Sequence, residues 1–340
     1  FLVAFGTTMS AFWILVLNSW MHTPAGYELR EGVVHATDWL AIIFNPSMPY
    51  RLAHMLLASG LTVAFVIAGV SALRYLLGDR SSAMRKALNT GVALGAILIP
   101  VQIFAGDLHG LNTLEHQPAK IAAMEGHWET KSRAPLILFA LPDEDARENH
   151  VEIAIPGLAS LILTHSLDGE VPGLNEFVLE DGTVKHPPVV PVFFAFRIMV
   201  GIGVLMLLVS WTATWFLWRR RASDDALPRW LALGLVPMAL SGWVATLSGW
   251  YVTEIGRQPW LVTGVMTTKD ALGPVAGGMV LSTLLAYLAV YVLLLGAYLF
   301  VVVRLAIKAA RGGGTTRPDT GPAGGTAIPG GPDAMPQPAE

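Results

Sequence analysis

The sequence predicts an all-α fold, a polytopic transmembrane helical bundle with a long outer loop. Three observations predict it. Of 340 residues, 53% are hydrophobic and only 14% charged, against about 25% charged in ordinary soluble domains. Six runs are long and apolar enough to cross a bilayer, which takes about 20 residues of helix. Lysine and arginine collect in alternate connections between those runs, as they do on the cytoplasmic side of membrane proteins. The net charge of −3 gives no electrostatic reason to expect a nucleic-acid partner. The absence of cysteine excludes disulfides, thiolate metal sites and iron–sulfur clusters. Redox chemistry on this chain therefore needs a cofactor held by His, Met or carboxylate.

The predicted spans are 1–20, 52–77, 87–105, 191–217, 230–250 and 279–303. The first three fall in region 1–105 and the last three in region 191–311. The run at the start has no basic leader and no small-residue cleavage site, so it does not read as a signal peptide. It opens at Phe1, inside an apolar helix, as a chain truncated at its N-terminus would. Pro237 and several glycines in the fifth span are tolerable because packed neighbours satisfy freed backbone groups.

The basic clusters are Arg74, Arg80, Arg85 and Lys86, then Arg219, Arg220, Arg221 and Arg229, then Arg304, Lys308 and Arg311. They place Phe1 and the C-terminus in the cytoplasm, with 21–51, 106–190 and 251–278 outside. Segment 106–190 is polar and holds most of the nine histidines. Its prolines at 135, 142, 156 and 172 argue against long helices, although 118–130 has helical composition. A structureless loop of that length is unusual unless it is functional. Segment 312–340, rich in Gly and Pro, is predicted to be a disordered cytoplasmic tail.

Several residues could carry chemistry. His54 is the only histidine within the predicted spans. An intramembrane ionisable group is a functional candidate by default, and neutral imidazole is a common axial haem ligand; the structural alternative is a His hydrogen-bonded to a neighbouring helix. Arg197, in an apolar run, needs an anionic partner, for which a haem propionate would serve. Met199 follows two residues later, and a His/Met pair is known ligation for an electron-transferring haem, whereas a Met in a membrane helix is otherwise core filling. Glu254, Arg257 and Trp260 crowd the outer end of the fifth span, where Glu254 and Arg257 can also simply pair with each other and Trp can anchor at the interface. Lys120 and Glu125, near a membrane-surface helix, could bind a quinol's oxygens and accept its protons, or form a solvated face.

In combination these residues resemble subunit I of the cytochrome bd-type quinol oxidases. The matching pieces are Gly6-Thr7-Thr8-Met9-Ser10-Ala11-Phe12-Trp13-Ile14 with Asn18-Ser19-Trp20-Met21, His54 in its helix, Gly106-Asp107, Lys120 with Glu125 and Trp128-Glu129-Thr130, Phe196-Arg197-Ile198-Met199, and Gly256-Arg257-Gln258-Pro259-Trp260. Their order over residues 6–260 makes the set specific.

The resemblance implies a bacterial cytoplasmic-membrane enzyme that oxidises ubiquinol or menaquinol at the outer face and reduces O₂ to water. It implies a low-spin haem b ligated by His54 and Met199, with Arg197 beside it. It also implies a high-spin haem b, and a haem d or further haem b, with Trp260 lying between the haems. Lys120 and Glu125 would lie in a quinol-binding loop, 106–190. A second subunit, and a small accessory one, would be partners within the lipid.

The family pattern has about nine spans, and six are seen. The resemblance implies that a preceding stretch carries a His that ligates an oxygen-site haem and the membrane carboxylates of a proton path, so that this polypeptide alone would not complete that site. Many members have a haem-ligating Glu four residues after the final Trp of the Arg-Gln-Pro-Trp motif; here that position is Gly264. Two other readings of the residues stay open: a secondary transporter using intramembrane His54 and Arg197, and a b-type cytochrome that does not reduce O₂.

Overall fold

A computed structural model describes residues 1–219 and 227–313. Among the described residues ten helices dominate. Leu2–His22 forms α1, Met48–Leu76 forms α3, Ser82–His116 forms α4, Val189–Arg219 forms α7 and Gly277–Gly313 forms α10; each is long and apolar enough to span a membrane. Arg229–Met238 (α8) and Ser241–Ile255 (α9) make a sixth span, bent by 40° at the break between them. Pro237 lies in the last turn of α8, where its missing N–H and ring disfavour continuation. The described residues thus carry five candidate spans, or six with the bent pair counted as one, in line with the expected six. The predicted tail, from residue 314 on, lies outside the described residues, as do Arg220 and Arg221.

Close packing holds the bundle together. α3 packs on α4, α8 and α9, and α7 packs on α4 and α9. A Cβ on Gly91 of α4 would lie 2.6 Å from the Ala68 nitrogen, and one on Gly69 of α3 would lie 2.7 Å from Ala239 Cβ and the Leu235 oxygen. Small residues at such crossings bring helices together where lipid offers no hydrophobic drive to associate. Leu61, Phe65, Ile99, Met206 and Met238 fill one interior cluster. By contrast, the large apolar residues of α10, such as Leu284, Leu288 and Leu295, point outward, as lipid-facing positions do. The α3–α4 turn and the segment before α8 share one end of the bundle, since Tyr75 Oη donates to the Leu227 oxygen (3.0 Å).

Two features differ from the sequence expectation. First, the third span does not stop near residue 105. α4 runs on to His116 and ends only at Gln117-Pro118, where proline disfavours a helical residue before it. α1 likewise includes His22. His22, His109 and His116 thus join His54 on candidate spans, and His54 is not alone there.

Second, the outer segments are not purely helical; they carry four two-stranded sheets. After the short helix α5 (Pro118–Glu125) come β3 (Lys131–Ser132), the β4–β5 hairpin (Leu136–Asp143 with Glu148–Ile155), α6 (Leu158–Thr164) and β6 (Glu170–Val171), which pairs with β3. Ile121, Met124, Trp128, Leu163 and Leu174 pack with Val189, Val192 and Val252. The long outer loop is thereby a folded unit seated on α7 and α9. The remaining hairpins are β1–β2 (Tyr27–Arg30, Val33–Ala36), followed by the short α2 (Trp39–Ile43), and β7–β8 (Trp260–Val262, Met266–Thr267).

Candidate functional site

The helix α5 sits where the outer unit meets the bundle. Pro118 opens it at a position where its missing N–H costs nothing, and Gly126, at φ +73°, closes it in the left-handed conformation that favours glycine. Its residues Lys120 and Glu125 are both buried, and they point into different surroundings. Lys120 Nζ donates to Gln117 Oε1 (2.7 Å) and His22 Nδ1 (3.1 Å). Burial, reinforced by the positive charges of Arg51 and Arg257, pushes its ammonium well below the usual lysine value. Gly256 makes this approach possible, because a Cβ there would stand 3.1 Å from Lys120 Cγ.

Glu125 faces α7 instead. Arg197 Nη2 donates to Glu125 Oε2 (3.0 Å), Nη1 to the Met124 oxygen (3.2 Å) and Nε to the Ile137 oxygen (2.6 Å). The guanidinium also lies 4.6 Å from the Phe193 ring centroid, a cation–π contact. The anion beside Arg197 is thus a protein carboxylate, and the arginine fastens the outer unit to α7. Beyond Glu125, Gly126, His127, Trp128, Pro135, Asn149 and Glu152 line a cleft of about 240 Å³.

His54, on α3, turns toward α4. Gln102 Nε2 donates to His54 Nε2 (3.1 Å), and the His109 ring lies 5.7 Å away, centroid to centroid. His54 Nδ1 is buried without a hydrogen-bond partner among the described residues. Met199, on α7, rests on α9. Each of the two side chains occupies a seat made by a glycine: a Cβ on Gly106 would come within 3.2 Å of His54 Cε1, and one on Gly249 within 3.0 Å of Met199 Sδ. His54 and Met199 stand on separate helices, α3 and α7, and α9 packs on both. An orphaned imidazole nitrogen, a thioether and two glycine seats fit a haem in their donor chemistry.

At the outer end of the bundle Arg257 Nη2 donates to Glu254 Oε2 (2.5 Å), so the local pairing expected from sequence is present. Glu254 Oε1 also accepts from Asn18 Nδ2 (2.8 Å), whose Oδ1 accepts from Arg51 Nη1 (3.0 Å). Trp260 opens β7, half-buried, and its hairpin is tied to α1 by the Thr263 N–H donating to the Met21 oxygen (2.9 Å). Gly264 turns this hairpin at φ +73°. The conformation favours glycine.

The ordered motifs, carried on a bundle of six spans, point to one family. The sequence profile of cytochrome bd terminal oxidase subunit I matches residues 1–310. The chain belongs to the cytochrome bd terminal oxidase subunit I family. It is 32% identical over 316 residues to the cytochrome bd ubiquinol oxidase subunit 1 of Bacillus subtilis (strain 168), covering 91% of this chain and 67% of that protein. It is 28% identical over 369 residues to the cytochrome bd-II ubiquinol oxidase subunit 1 of Escherichia coli (strain K12), covering 90% and 71%. Among solved structures, the bd oxidase from Geobacillus thermodenitrificans matches with a TM-score of 0.78 and 35% identity, over 89% of this chain and 68% of that one. The chain thus spans about two thirds of the length of these relatives. Membership of the cytochrome bd family sets aside the transporter reading.

The structure also brings in residues that sequence reasoning did not single out as site residues: His22, Arg51, Asn18, Gln117, Gln102 and His109. Asn18 lies inside a quoted motif and His109 stands two residues after Gly106-Asp107, and that neighbourhood was the available signal. Arg51 stands three residues before His54, one helical turn along the same face, which is a second signal.

Proposed function

We propose that the chain is the haem-binding subunit of a bacterial quinol:O₂ oxidoreductase that oxidises ubiquinol or menaquinol at the outer face of the cytoplasmic membrane, with the C-terminus in the cytoplasm. The observation that carries the reading is the seating of His54 and Met199 on Gly106 and Gly249, in a chain of the cytochrome bd family. His54 and Met199 would be the axial ligands of a low-spin haem b. A high-spin haem b, with haem d or a further haem b, would complete the enzyme, together with a second subunit and a small accessory one. Bound haem supplies one-electron transfer between quinol and O₂.

The chain's own residues contribute positioning and proton handling. Lys120, held well below the usual lysine value by burial, gives up its proton more readily than an ordinary lysine. It can accept a quinol proton, as a general base must. Glu125 holds Arg197 and keeps the outer unit closed over α7, and the cleft beside it offers room for a quinol head. Trp260 would lie between the low-spin haem and the others.

The test is a comparison of electron donors in the purified oxidase. Lys120→Ala and Glu125→Ala should each lower quinol oxidation at least tenfold and leave an artificial donor that bypasses quinol nearly unaffected. Equal losses with both donors would remove the quinol role.

A further inference from the structure

The outer ends of α1, α3, α5 and α9 enclose more positive charge than they balance. Arg51, Lys120 and Arg257 are all buried, at 6%, 3% and 6% exposure. Among the described residues one carboxylate, Glu254, faces the two arginines, which stay in excess by one charge even with the Lys120 amine neutral. Buried charges are normally paired and hydrogen-bonded, because desolvation without a partner costs more than the fold can spare. Here Arg51 Nε, Arg257 Nε and Arg257 Nη1 are buried with no hydrogen-bond partner among the described residues. Lys120 donates only to neutral acceptors, and Arg51 reaches Glu254 only through Asn18. Three guanidinium nitrogens with unused N–H donors, on two arginines beside an excess of positive charge, are the donor set of an oxyanion site.

The position of the cluster identifies the anion. Arg51 is one turn, about 4.5 Å, from His54 along α3. Glu254 is about 7.5 Å beyond the Gly249 seat of Met199 along α9. The unused donors therefore lie just outward of both seats, shielded from water, where the edge of a planar group held between those helices would end.

We propose that Arg51 and Arg257 form a buried oxyanion site for the propionate carboxylates of the haem seated at His54. The inference rests on the haem-binding reading above. It assigns the acidic edge of the cofactor to the end of the bundle where α3 and α9 meet the outer hairpins. It also explains why Arg197, satisfied by Glu125, is free of that duty. A lipid headgroup phosphate has the same oxyanion chemistry and would come from the bilayer.

The experiment uses the purified oxidase complex with Arg51→Gln, Arg257→Gln and the charge-retaining Arg51→Lys. It measures the low-spin haem's midpoint potential by spectroelectrochemistry, its propionate bands by redox difference infrared spectroscopy with carboxyl-labelled haem, and bound phospholipid by mass spectrometry. Removing a cation beside a propionate favours the oxidised, more positive haem. Each Gln variant should therefore shift the reduction equilibrium about tenfold toward the oxidised form, about 59 mV for a one-electron couple, and move the propionate bands. Arg51→Lys should keep most of the potential while moving the bands. If the Gln variants do not assemble, Arg51→Lys decides by its bands alone. Unchanged potential and bands in a haem-loaded variant overturn the proposal, and loss of a bound phospholipid with them assigns the site to a lipid phosphate. A wild-type complex without haem would instead defeat the haem-binding reading itself.

Discussion

Asp79 shows how single side chains set the geometry of the bundle's end opposite the site. It lies buried between α3 and α4, where burial alone would raise its carboxyl. The Ser81 backbone N–H (2.8 Å) and the Arg74 guanidinium (2.6 Å) outweigh that and hold it below the usual carboxylate range. A group whose folded value is depressed stabilises the fold above its unfolded value of about 3.9, and the contribution is lost as pH falls through the lower folded value. Asp79→Asn should therefore cost about 1–3 kcal/mol at neutral pH and flatten the acid limb of a thermal-melt pH series in detergent. A melt unchanged at neutral pH would contradict this. On the opposite side, Gly249 is set against Met199 Sδ. Gly249→Val should displace the thioether and convert the low-spin haem signal partly to a five-coordinate one, read in the visible spectrum, with the bundle still folded by circular dichroism.

At the scale of elements, helices were legible and their ends were not. Hydropathy marks α3, α7 and α10 plainly. α4 runs past residue 105 because Gly106-Asp107-Leu108-His109 lowers hydropathy without breaking the helical period, and the stop comes from Pro118. The β4–β5 hairpin was hidden differently. Leu136 to Leu141 is a short apolar run that reads equally as buried helix or strand. The turn after it is fixed by Asp143, whose carboxylate accepts from the Asp145 and Ala146 N–H groups (3.0 and 2.9 Å). The cationic cluster was only partly legible: Lys120 and Arg257 were candidates and Arg51 stands one turn from His54, but the three lie far apart in sequence and no local pattern shows that they meet. The Glu125–Arg197 pair has an element-scale consequence. It joins α5 to α7 in a half-dry setting, so Glu125→Gln should loosen the outer unit. Amide hydrogen exchange in α5 and the β4–β5 hairpin is expected to rise several-fold while α3 and α8 stay protected. Uniform protection across both regions would show that the pair is not what fastens the unit.

For the whole molecule, the arrangement separates tasks along the membrane normal. The folded outer unit and α5 present Lys120, Glu125 and a cleft. The bundle beneath presents His54 and Met199 on glycine seats, and between the two lies a layer of buried guanidiniums. On the proposed function, a quinol oxidised at the outer face would release its protons there, and if the protons for O₂ reduction come from the cytoplasm, charge would separate across the bilayer without a pump. Moving a charge through 100 mV costs about 2.3 kcal/mol. The account depends on one ligand pair, and the reduced-minus-oxidised visible spectrum of the purified complex carrying His54→Ala, beside Met199→Leu and wild type, tests it most directly. The account predicts that His54→Ala loses the low-spin haem b band and that Met199→Leu replaces it with a five-coordinate or ligand-exchanged signal. A wild-type low-spin band in both variants would contradict it.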